Sequence, residues 1–216
     1  MKKIYYLLLI LIVSNSSVNA QAAKGMVSND PQAKKILDAV SAKLRTYKNV
    51  EAKFSVKIEN SAGKNLGIKK GTFYLKGSKY RISATGQEVF SDGSNTWTID
   101  KAAKECTINK IDPNATTITP QKLFTNFYDK DFLYKLNGTT KGVSEIELTP
   151  LDKTKPIFKM LLYISNNAIN SAKFLEKTGN RYILGITNVN PNSSANDATF
   201  IFDAKKFTGV DVVDLR

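Results

Sequence analysis

From residue 50 to residue 59 apolar side chains take every second position. Val50, Ala52, Phe54, Val56 and Ile58 alternate with Glu51, Lys53, Ser55, Lys57 and Glu59. Successive side chains of a strand point to opposite faces, so this segment predicts a strand with one apolar and one charged face. The segment before it keeps a different period. Ile36, Leu37, Val40, Leu44 and Tyr47 follow helical spacing, while Lys34, Lys43, Arg45 and Lys48 keep the remainder wet. Asp30 and Pro31 suit the N-cap and first position of that helix.

After residue 59 the period-two pattern recurs, broken by turn residues. Strands are predicted at 66–76, 79–85, 87–91, 96–100 and 106–111. Asp92-Gly93 between two such runs is a hairpin turn; a calcium loop would need further acidic residues at fixed spacing, which do not follow. The alternation then stops. Thr119 and Pro120 are helix-starting residues, and Leu123, Phe124, Phe127 and Tyr128 fall on one side of the short helix they would begin. Further strands are predicted at 132–138, 143–151, 157–166, 168–177, 181–190 and 198–204, followed by a tail. The sum is two amphipathic helices and eleven or twelve strands in an antiparallel meander. So large a sheet curls or closes. With more than about eight strands a lumen is left that side chains alone do not fill. The apolar face of 50–59 therefore looks either into a cavity or onto an ordinary packed core.

The first twenty residues stand apart. Lys2 and Lys3 precede an apolar run at 4–13, then polar residues and Val18-Asn19-Ala20. This is the pattern of a secretory signal peptide cleaved after Ala20, with a run too short to span a bilayer. Residues 21–216 are expected to form one exported domain. Gln21, not Cys, follows the cut, so no N-terminal lipid is expected.

The formal charge is +13, of which Lys2 and Lys3 contribute two. Export and the scatter of the Lys residues argue against nucleic acid as partner. An anionic membrane surface is the better match, beside a basic surface with no partner. There is no His, which removes His-based triads and imidazole metal sites, and a single Cys, Cys106, which excludes an internal disulfide. Cys106 shares a strand face with Ile108 and is expected to be a buried, inert thiol. No nucleophile elbow, phosphate loop or metal-ligand cluster is found, so no enzyme, cofactor or metal is expected. An outer-membrane barrel is the structural rival. Its lipid-facing band would have to accommodate Lys53, Lys57, Lys69 and Lys70.

Several stretches together resemble the outer-membrane lipoprotein carrier protein family, LolA. They are "YKNVEAKFSV" at the helix-to-strand passage, "KKGTFYLK", "SKYRIS", the hairpin "SDGSNTWTID", the mid-chain "TPQKLF" and the closing "GVDVVDLR". The resemblance implies an unclosed antiparallel barrel of about eleven strands around an apolar cavity, covered by a helical lid. It implies a monomeric, non-enzymatic periplasmic carrier. The acyl chains of lipoproteins would be taken from an inner-membrane ABC transporter, ride in the cavity, and pass to an outer-membrane acceptor. Alternation and the resemblance together select Leu44, Phe54, Phe73, Leu75, Ile82, Val89, Leu123 and Phe124 as cavity lining. Pro120, Leu123, Phe124 and Phe127 are selected as lid. Ordinary core is the alternative for each. Trp97, the only Trp, is read as a packing anchor. One departure stands out. Members with the best-known mechanism carry Arg-Pro where this chain has Gly77-Ser78, and Lys76 and Lys79 flank the position without a guanidinium. A LolA-like module that binds lipid or acts as an envelope sensor, without lipoprotein transport, stays open.

Overall fold

The structure, a computed structural model, describes residues 29–111 and 127–216, with the Phe127 side chain also outside the description. It opens with helix α1, Pro31–Arg45. Asp30 caps it: Oδ1 accepts from the backbone N–H of Gln32 at 2.8 Å and of Ala33 at 3.4 Å. Its other oxygen accepts from the N–H of Leu136 at 2.9 Å, so one carboxylate starts the helix and anchors it to the sheet. These bonds favour the ionised form and hold the Asp30 carboxyl below its ordinary range. Ala33, Leu37, Val40 and Ser41 form the buried stripe.

Among the described residues twelve strands follow. They are β1 Val50–Glu59, β2 Asn65–Lys76, β3 Lys79–Ala84, β4 Gln87–Ser91, β5 Asn95–Asp100 and β6 Glu105–Lys110. After the short helix α2, Phe127–Asp131, come β7 Phe132–Thr140, β8 Val143–Pro150, β9 Ile157–Ser165, β10 Ala168–Glu176, β11 Arg181–Asn190 and β12 Asp211–Asp214. All pair in one sheet of order β12-β6-β5-β4-β3-β2-β1-β11-β10-β9-β8-β7. Two meanders, β1–β6 and β7–β11, join where β1 pairs antiparallel with β11. The sheet is open, with β7 and β12 as its ends, as the unclosed architecture expected from the sequence requires. The hairpin turn at Asp92 is held by its own carboxylate, whose Oδ1 accepts from the N–H groups of Ser94 and Asn95, each at 2.7 Å.

One expectation fails. Residues 198–204 do not form a strand. They lie in and between two 3-10 turns, Asp197–Phe200 and Ala204–Lys206. Phe200 and Phe202 of this stretch pack inward, and the segment lies across the sheet instead of extending it. Phe200 is fully buried, and Phe202 and Phe207 pack against Phe90 with ring centroids 6.3 and 5.9 Å away. Packing has overridden alternation. The tail then supplies the last strand, β12, which pairs parallel with β6.

Three apolar clusters hold the fold. The largest lies between α1, α2 and β7–β10 and contains Leu37, Val40, Phe132, Ile146, Leu148 and Met160. A second, on the same face of the sheet, joins Val50, Leu75, Tyr80 and Val89 under Tyr47. The third is on the opposite face: Phe90, Ile99 and Cys106, with Trp97, Phe202, Phe207 and Val210 packed on them. Trp97 is thus a packing anchor. The Cys106 thiol is fully buried, and burial, with the charge of Glu105 beside it, pushes its pKa up to about 11. A thiol-alkylating reagent is accordingly expected to label Cys106 in denaturant and to leave the folded protein unlabelled over hours, as a mass shift would show.

Candidate functional site

Residues paired across neighbouring strands share a face, so the register traces what the face carrying α1 presents. One row runs Ala52, Phe73, Ile82, Val89, Thr98, Thr107 across β1 to β6. The next runs Val50, Leu75, Tyr80, Ser91. A third places Phe54 between Gly71 of β2 and Ile186 of β11. Phe54, Phe73, Leu75, Ile82 and Val89 are therefore brought together on one face, and Leu44 of α1 packs toward it with the largest cluster. The apolar character ends at β5, where the first row turns to Thr98 and Thr107.

Their burial divides them. Leu75 and Val89 are 5 % and 1 % exposed and belong to the sealed second cluster. Leu44, Phe54, Phe73 and Ile82 are half-buried. Tyr47 and Ile186 share that state on the same face. Tyr47 was legible as the end of the helical stripe, but Ile186 could be placed beside Phe54 only through the β1–β11 pairing. Pro120, Leu123 and Phe124 lie outside the described residues. Phe127 opens α2, with its side chain likewise outside.

Phe54 owes its position to a glycine. A Cβ on Gly71 would stand 2.3 Å from the backbone oxygen of Ser83 and 2.7 Å from the Phe54 ring. The edge of the ring occupies the space that a side chain at position 71 would need. Gly71→Ala is therefore expected to cost about 1–3 kcal/mol by overpacking and to displace Phe54, read as a lower midpoint in urea.

α2 is fastened to α1 by a polar group of five residues. The Tyr128 hydroxyl donates to Asp38 Oδ1, and Lys34 Nζ bridges Asp38 at 3.2 Å and Asp129 at 3.4 Å. The Tyr134 hydroxyl donates to Asp129 Oδ1 at 3.1 Å, and its ring meets Tyr128 edge-on. Burial and the adjacent Asp38 charge raise the Tyr128 phenol well above its ordinary range, so it stays a donor. The Asp38 carboxyl is held below its ordinary value, chiefly by the Tyr128 hydrogen bond and then by Lys34. A depressed carboxylate contributes stability above its unfolded pKa and loses it as pH falls through the folded one. Acidification below the ordinary carboxylate range should thus loosen α2. The drop in denaturation midpoint between pH 7 and pH 3 is expected to be smaller in Asp38→Asn than in the parent.

Near the Gly77-Ser78 departure, Lys76 and Lys79 both reach Asp197 Oδ1, at 2.9 and 3.4 Å. They tie the first 3-10 turn to the β2–β3 corner, well exposed to solvent. Among the described residues no group of three or more acidic, Cys or His side chains is placed to hold a metal, and no helix is long and apolar enough to cross a membrane.

Residues 45–203 match the family model of the outer membrane lipoprotein carrier protein LolA, and the chain belongs to that family. An outer-membrane lipoprotein carrier protein of Ralstonia nicotianae is 26 % identical over 141 residues, covering 65 % of this chain and 61 % of the relative. The chain thus spans less than two thirds of that relative's length. A protein of the same name from Cupriavidus necator is 26 % identical over 163 residues, covering 73 % of this chain and 76 % of its own. Among solved structures, an uncharacterized conserved protein of Thermus thermophilus superposes with a TM-score of 0.55 at 13 % identity, covering 85 % of this chain and 99 % of the other. That likeness speaks for the fold alone.

Proposed function

We propose that this protein is a non-enzymatic periplasmic carrier, exported by its first twenty residues, which receives lipoproteins from an inner-membrane ABC transporter and yields them to an outer-membrane acceptor. The observation that carries the reading is the set of half-buried apolar side chains on the α1 face. Leu44, Tyr47, Phe54, Phe73, Ile82 and Ile186 lie beside two sealed clusters without being sealed themselves. Acyl chains would lie along these side chains, with Leu75 and Val89 as the floor beneath. The segment holding Pro120, Leu123, Phe124 and Phe127 would form the lid, hinged on α2 and its attachment to α1.

Energetics fit a carrier. Each methylene removed from water gains about 0.8 kcal/mol, so a chain of roughly sixteen carbons gains on the order of 12 kcal/mol. Leaving a bilayer costs a comparable amount. Transfer from membrane to carrier is then near neutral, and direction has to come from an ATPase upstream and a tighter acceptor downstream. Membrane-spanning barrels leave no open strand edge, whereas here β7 and β12 end the sheet, which favours a carrier over the barrel rival.

A hydrophobic dye should bind the folded protein and be displaced by fatty acid. No dye binding by the folded protein would remove the cavity, and with it the carrier. The basic surface would serve encounter with the anionic membrane or with partner proteins. Its reach is about 8 Å at physiological salt. Raising the salt is therefore expected to slow lipoprotein delivery between vesicles while leaving dye affinity unchanged.

A further inference from the structure

The face of the sheet opposite α1 carries a cleft of its own, of about 530 Å³, between β3–β5 with the turn that follows β5 and the chain from Ala198 to Val210. Its floor is apolar: Phe90 and Ile99 are 3 % and 0 % exposed, and Phe207 and Val210 close over them. Its charged lining is cationic in balance. Arg81, Lys101, Lys104 and Lys206 stand against Glu88 and Asp203. Glu88 is shared by two of the cations, since Arg81 Nη2 donates to it at 2.8 Å and Lys101 Nζ lies 3.0 Å away. The carboxyl is buried, which by itself would raise its pKa, yet these two partners hold it ionised and below the ordinary value. The Arg81 guanidinium lies over the Phe90 ring at 4.8 Å, and its buried Nε meets no acceptor among the described residues. A guanidinium fixed in this way lines the cleft and can offer N–H groups to an oxyanion.

We propose that this cleft is a second binding site, separate from the acyl-carrying face, for a small anionic amphiphile. A phosphate-type head would be held by Arg81, Lys101 and Lys104, and a short apolar tail would lie on Phe90, Ile99 and Phe207. The surplus of two positive charges matches one phosphate group. A neutral lipid would leave the cations uncompensated, and a free anion would leave the apolar floor wet. Because the cleft lies behind the sheet, its occupant does not compete with cargo.

The test is calorimetric titration of the purified protein with octyl phosphate, octyl glucoside and inorganic phosphate, repeated on two variants. Lys101→Ala combined with Lys104→Asn removes two exposed cations and keeps a residue that tolerates the positive φ of 53° at position 104. Phe54→Lys alters the other face. Octyl phosphate is expected to bind more tightly than either control, to weaken about tenfold or more in the double variant, and to be unaffected by Phe54→Lys. Octyl glucoside binding as well as octyl phosphate to the Phe54→Lys variant, whose other face is charged, would overturn the site, as would inorganic phosphate doing so. Loss of binding in Phe54→Lys without loss in the double variant would assign the amphiphile to the α1 face and overturn it too. Dye binding on the α1 face, measured in parallel, reports separately on the carrier reading.

Discussion

Phe132→Ala is expected to lose about 3–5 kcal/mol of folding stability. The ring is 1 % exposed, opens β7 directly after α2, and lies in the cluster that α1 shares with β7–β10. Truncation there deletes a large apolar side chain and leaves a cavity that the surrounding elements cannot collapse to fill. Domains of this size have about 5–15 kcal/mol in total, so the variant should be marginal at physiological temperature. Urea denaturation followed by circular dichroism checks it. A loss below about 1 kcal/mol would mean that the cluster is loosely packed at its α2 end.

Charging the half-buried patch is expected to have the largest effect on binding. Phe54→Lys and Phe73→Lys each place an ammonium group where an acyl chain would lie. With no partner in reach, that charge wets the surface or is buried at high cost. Dye affinity should fall at least about tenfold in either variant. Because both side chains are half-buried, the lysine can reach water when the site is empty, so the native spectrum should be retained. Phe124→Glu charges the segment proposed as lid, and the same loss of dye binding with a native spectrum is expected. Val89→Lys is the contrast: Val89 is 1 % exposed, and this variant should fail to fold rather than fold and fail to bind.

Much of this architecture was readable from residue order because local signals agreed with the tertiary outcome. Asp30-Pro31 started α1 as expected, and strict alternation placed β1 at its observed bounds. What local pattern could not show was long-range pairing. Ile186 becomes a neighbour of Phe54 only because β1 pairs with β11. Period two also cannot tell a strand that extends a sheet from a segment laid across one, which is why residues 198–204 read as a strand. Nor does alternation say which face of a strand is covered. Leu75 and Phe73 lie on the same face of β2, yet Leu75 is sealed within the second cluster and Phe73 is half-buried at its margin. The cleft behind β3–β5 was invisible for the same reason: Lys206 and Phe207 are far in sequence from Arg81 and Phe90 and join them only when the C-terminal segment crosses the sheet.

Carriage of lipoprotein acyl chains is the role proposed for the α1 face. It is tested most directly by incubating the purified protein with a triacylated lipoprotein peptide and with the same peptide lacking its acyl chains, then weighing the complexes by native mass spectrometry. A one-to-one complex with the acylated peptide alone, lost in Phe54→Lys, is the predicted result. Equal binding of the two peptides, or binding of the acylated one that survives both Phe54→Lys and Phe73→Lys, would contradict it.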